Sequence, residues 1–176
     1  MFIPESEAKE HFATLTYQEW RPLLELIKEI RATPRDSYTL PYEPAKHDIL
    51  SRFIKVTYMR PSIMINFDWP SWEDGRKIIN DDNIDYDSIC MVTKCKLITT
   101  LVRNDRFHEG ALALAFRDGT MQKILESVDK EVRRNHRGMK GILSRILDFD
   151  FSSAPFYVTT IVIIFVLLSL IKSFIN

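Results

Sequence analysis

The chain has only two cysteines and five glycines among 176 residues, and 24 basic against 24 acidic side chains leave it no net charge. Two cysteines are too few for a disulfide framework. So few glycines exclude collagen-like and Gly-rich linker architectures. The missing net charge removes the simplest nucleic-acid argument, which needs a strongly basic balance, so no nucleic-acid partner is expected. There is no G-x-S-x-G, no P-loop and no Rossmann glycine motif. His11, His47, His108 and His136 are scattered without zinc-ligand spacing, and neither a metal nor a cofactor is expected. Cys90 and Cys95 lie five apart, on different sides of an expected helix. With no partner pair they read as thiols without a function. What is present is apolar: hydrophobic residues make up 45% of the chain, which excludes disorder and permits one domain with a real core.

The even charge balance hides an asymmetry. Residues 1–129 hold 17 basic and 21 acidic side chains, whereas residues 130–176 hold 7 basic and 3 acidic. Between Phe151 and Ile171 there is no charge at all. A helix of that length, at about 1.5 Å per residue, matches the roughly 30 Å hydrocarbon core of a bilayer. Ile161, Val162, Ile163, Ile164, Phe165, Val166, Leu167 and Leu168 leave no polar face, and Leu170 and Ile171 continue the run. Phe156 and Tyr157 suit the membrane interface at the entering end. The expectation is a transmembrane helix over 151–172 with a short far-side tail, 173–176.

Basic residues flanking a span stay on the cytoplasmic side. Lys130, Arg133, Arg134, Arg137, Lys140 and Arg145 precede the run and Lys172 alone follows it. The body is therefore expected in the cytoplasm, as a tail-anchored, single-pass protein. Residues 134–150 form a basic juxtamembrane segment, with Ile142, Leu143, Ile146 and Leu147 at helical spacing. Arg133, Arg134, Arg137, Lys140 and Arg145 would meet anionic lipid headgroups. Packing of the segment on the soluble domain is an equal alternative.

Residues 1–133 read as a mostly α domain of about five or six helices. Thr16 and Glu19 have capping-box spacing and open a stripe of Trp20, Leu23, Leu24, Ile27 and Ile30. Thr33 to Pro44 is a loop. Ile49, Phe53, Val56 and Met59 form a second stripe, and Ile63, Met64 and Ile65 a short apolar link. Asp68 is expected to cap a helix with Pro70, Glu73 and Asp74 in its first turn. Further helices are expected over 87–102 and 120–134. The stretch 107–117 fits a strand or a helix; helix is favoured because no partner strand is in view.

Two constellations could carry chemistry. In Arg103-Asn104-Asp105-Arg106-Phe107-His108-Glu109-Gly110, a helix would bring Asp105, Arg106 and Glu109 to one face. An arginine held by carboxylates suits recognition of phosphate or carboxylate. The plainer alternative, which we favour, is an ion-pair network locking two helices across Gly110. In Phe67-Asp68-Trp69-Pro70-Ser71-Trp72, the two tryptophans could line a pocket for a ring-shaped ligand. A capped helix start burying its aromatics is favoured there.

The same segments carry a resemblance. Leu40-Pro41-Tyr42, Phe67-Asp68-Trp69 with Trp72, Leu97-Ile98-Thr99-Thr100, and Val102-Arg103 followed by Asp105-Arg106-Phe107 and Glu109-Gly110 are similar to a bacterial domain-of-unknown-function family, numbered six-five-zero-eight. The resemblance covers roughly residues 15–130. It implies a small, mostly helical bacterial domain and brings no reaction, substrate or partner. The C-terminal span departs from the family's usual soluble members.

The leading expectation is a non-enzymatic module at the bacterial inner membrane. Its domain would bind a protein partner, a further copy of itself or a small ligand through Arg103, Asp105, Arg106, Glu109, Asp68, Trp69 and Trp72. One alternative is a membrane effector of anti-phage or toxin type whose tails assemble in the bilayer. The other is an enzyme on a nucleotide or phosphorylated metabolite with Glu109 or Asp105 as general base.

Overall fold

The structure, a computed structural model, describes residues 2–38, 48–59 and 61–147. The chain divides between His136 and Arg137 into two units, and the core and groove described below lie in the first. Seven α-helices occur among the described residues: α1 (Ala8–Thr14), α2 (Tyr17–Ala32), α3 (Asp48–Tyr58), α4 (Glu73–Ile79), α5 (Met91–Asn104), α6 (Ala111–Arg117) and α7 (Thr120–Leu147). Two short strands, β1 (Ile3–Pro4) and β2 (Ile65–Asn66), pair in parallel.

Helix α2 begins where local chemistry dictates. The Thr16 hydroxyl accepts from the Glu19 N–H, and the Glu19 carboxylate accepts from the Thr16 N–H at 2.6 Å, closing the capping box. Trp20, Leu23, Leu24, Ile27 and Ile30 are all buried, and Leu26 joins them. Pro22, which has no N–H to give the helix, sits on its exposed side. Helix α3 turns one residue from the expected stripe: Leu50, Phe53 and Thr57 are its buried positions, and Met59 is exposed. Thr57 can be buried because its hydroxyl donates to the Ile54 carbonyl.

The apolar link is more than a link. Ile63, Met64 and Ile65 are buried, and Ile65 pairs with Ile3. On its other side the Ile65 N–H donates to the Thr99 hydroxyl, which donates in turn to the Cys95 carbonyl. A wholly buried threonine thus fastens the small sheet to α5. Helix α1 precedes the first expected helix and buries Ala8 and Phe12, a stripe of two that is too short to stand out in the sequence.

Asp68 does not cap α4, contrary to expectation. The backbone turns through residues 67–72, and Trp72 holds the N-cap position. The reason lies at Gly75, whose buried backbone is covered by the Trp72 indole; a methyl group there would collide with the ring. Trp72 must stand outside the helix to lie on it. Glu73 and Asp74 do fall in the first turn.

Helix α6 covers 111–117, so the ambiguous stretch is helical from Ala111 on, while its first residues, 107–110, belong to the turns over 105–110. Helix α7 buries Met121, Ile124, Leu125, Val128 and Val132 as expected. It runs on to Leu147, one helix where the sequence suggested a break after Arg134. No proline interrupts it, and it runs through its two glycines, Gly138 and Gly141, which are weak helix formers. Among the described residues no helix is long and apolar enough to cross a membrane. The expected span, Phe156, Tyr157 and Ile161 to Ile171 included, lies outside the described residues.

Candidate functional site

The aromatic turn over 67–72, α4, the C-terminal half of α5 and the turn over 105–110 enclose a groove of about 650 Å3. Trp69 and Phe107 form its aromatic side, with ring centroids 5.8 Å apart and planes tilted by 38°. Phe107 is 70% exposed although its ring meets Trp69. Pro70, Ile79 and Leu101 add apolar surface. Arg76, Asn80, Thr100, Asn104 and His108 supply the polar atoms. This is the usual make-up of a ligand cleft: mostly apolar, with a few convergent polar groups.

Helical spacing explains the convergence. Asn80, the C-cap of α4, follows Arg76 by one turn, and Thr100 and Asn104 are one turn apart on α5. Arg76 Nη2 donates to the Pro70 carbonyl at 3.0 Å, which holds the guanidinium against the aromatic turn. His108 Nδ1 and Asn104 Oδ1 are 3.0 Å apart.

The arginine–carboxylate constellation does not form. No ion pair joins Arg103, Asp105, Arg106 and Glu109 among the described residues, and residues 105–110 are turns rather than the helix that would align them. Gly110 sets this geometry with φ +85°, a left-handed conformation that ends the continuity of α5 and α6. Gly110 has no side chain to cap α6, and the Asp105 carboxylate takes that task, accepting from the Leu112 N–H at 2.9 Å. Arg103 instead lies over two rings, its guanidinium carbon 5.2 Å from the Phe2 centroid and 5.7 Å from that of Trp69. Arg106 donates to the Tyr58 hydroxyl at 3.4 Å, and Glu109 is exposed.

The two tryptophans part company. Trp69 faces the groove, whereas Trp72 lies edge-on to Phe67, with Lys96 Nζ 4.4 Å from its ring centroid. Asp68 is exposed beside them. Of the basic residues assigned to lipid headgroups, Arg133 binds Asp129 at 2.7 Å and Tyr17 at 3.5 Å within the domain, whereas Arg134 and Arg137 are exposed. The side chains of Lys140 and Arg145 lie outside the described residues. Sequence reasoning thus found Trp69 and the 103–110 segment but missed Arg76, Asn80 and Thr100. Their four-residue spacing on helices was the available signal.

The two thiols differ sharply. Burial pushes the Cys95 thiol well above its ordinary value. At Cys90 burial is outweighed by hydrogen bonds from Thr93 and Val92, which bring the thiol below it. We expect iodoacetamide at neutral pH to modify Cys90 in the native protein and Cys95 only after unfolding. Equal labelling rates by mass spectrometry would contradict this arrangement. Among the described residues no group of three or more His, Cys, Asp or Glu is placed to hold a metal ion.

Residues 15–134 match the family of unknown function DUF6508, and the chain belongs to that family. No curated protein and no solved structure matches it.

Proposed function

We propose that this member of the DUF6508 family is a non-enzymatic binding module for a small ligand, carried at the bacterial inner membrane by its C-terminal apolar run. The groove walled by Trp69 and Phe107 is the observation that carries the binding half. Its volume falls within the roughly 300–1,000 Å3 of clefts that hold small molecules, and its aromatic wall is partly open to solvent. No carboxylate lines it to serve as a general base, and Asp105 is spent on the Leu112 N–H. Both facts count against the carboxylate general base that the enzymatic alternative calls for.

The membrane half rests on the uncharged run from Phe151 to Ile171 and on the basic flank before it. The full chain is expected to remain in the membrane pellet through an alkaline carbonate wash, while a chain ending at Asp150 is released. Release of the full chain would remove the anchor from the proposal.

For the groove, the full chain in lipid nanodiscs is incubated with a bacterial metabolite extract, washed and denatured. Wild type is expected to release small molecules that Trp69→Ala does not retain. Identical sets from the two proteins would overturn the groove as the ligand site.

A further inference from the structure

The groove's charge pattern narrows its ligand. Resting on the proposal that this groove is a ligand site, the geometry points to a flat hydrophobic monoanion, an aromatic carboxylate, with its ring against Trp69 and Phe107 and its carboxylate on Arg76.

The ring position follows from the wall. Trp69 and Phe107 are already in contact at 5.8 Å, so a ligand ring lies against them rather than between them. The sign of the ligand follows from what lines the groove. Arg76 is the permanently charged residue among the lining side chains, and no Asp or Glu is among them. A cation would find no counter-charge. It would also meet Arg103, which already lies over the Trp69 ring.

The single negative charge follows from Arg76 itself. A guanidinium has five N–H donors, and the bond to the Pro70 carbonyl uses one of them. The remaining fork matches the two oxygens of a carboxylate in one plane. A nucleotide would bring several charges to a groove whose lining offers one permanent cation, and the rest of its polar atoms, on Asn80, Thr100, Asn104 and His108, carry no permanent charge.

The test compares 2-naphthoate with 2-naphthamide, which share a ring system and differ in charge. Both are measured by equilibrium dialysis against the full chain in zwitterionic nanodiscs, with empty nanodiscs subtracted. We expect naphthoate to bind at least about tenfold more tightly, the factor that corresponds to 1.4 kcal/mol. Arg76→Gln should bring naphthoate down to naphthamide and leave naphthamide unchanged. Arg76→Lys, which keeps the charge and loses the fork, should fall between. Circular dichroism melts establish that the variants are folded; Arg76 is exposed, and neither substitution disturbs the core. Equal affinities for the two probes, both lowered in Trp69→Ala, would overturn the anionic class and leave the groove as a ligand site. Absence of any binding that responds to Trp69→Ala would overturn both.

Discussion

Phe116→Ala is expected to destabilise the domain by about 3–5 kcal/mol, the usual cost of emptying a large aromatic site in a packed core. Phe116 is 1% exposed and joins parts of the chain that nothing local holds together. Its ring stacks on Tyr38 at 5.1 Å and meets Phe53 edge-on at 5.2 Å. Phe53 is wholly buried on α3, and Tyr38 follows the short helical turn after α2. Removing the Phe116 ring therefore opens a cavity where three segments meet, and neither aromatic neighbour can fill it without leaving its own contacts. Urea unfolding followed by helical circular dichroism reads the loss directly. Phe116→Leu, which keeps most of the volume, should cost markedly less. A loss under about 1 kcal/mol for the alanine variant would mean that the site collapses freely and that this aromatic cluster does not hold α6 in place.

The second large effect concerns charge in the interior. Lys94 is 1% exposed, and its Nζ lies 2.6 Å from Glu131 Oε2. Desolvating an ammonium is costly, and the carboxylate offsets that cost only while it is ionised and in place. Glu131→Gln keeps the shape, removes the charge and leaves Lys94 buried without a counter-ion. We expect a loss of about 3 kcal/mol, the lower end for breaking a buried pair, because Glu131 retains some solvent access. The double variant Lys94→Met with Glu131→Leu should recover most of that loss, since an apolar pair of similar size carries no desolvation cost. A double-mutant cycle in urea measures the coupling. A Glu131→Gln variant within about 0.5 kcal/mol of wild type would show that Lys94 reaches water or another acceptor.

Elements set by neighbouring residues were legible in the sequence. The capping box at Thr16 and Glu19 and the α2 and α7 stripes depend on spacings of three and four, and the structure reproduces them. Long-range chemistry was not legible. The buried face of α3 includes Thr57, which hydropathy ranks as polar and which is buried because its hydroxyl finds the Ile54 carbonyl. The pairing of Ile3 with Ile65 leaves no local trace, because two-residue strands are too short to alternate. At the groove, the sequence pointed to Trp69 and to the 103–110 segment. It misjudged how the arginines are held, because a helix was assumed through a turn that Gly110 imposes. Rings hold Arg103, and Arg106, the arginine expected to share a face with carboxylates, donates to the Tyr58 hydroxyl.

The fastening of the small sheet to α5 has a consequence for how the protein is made. Strand β1 leaves the ribosome long before its partner β2, and the Thr99 hydroxyl that receives β2 comes later still. Chains grow at about 5–20 residues per second, so β1 waits for seconds with its pairing edge and the apolar side chain of Ile3 unsatisfied. The pairing is non-local and closes late, after α2 and α3 are available as local structure. Within the growing chain, the opening segment is then among the last parts to find its place.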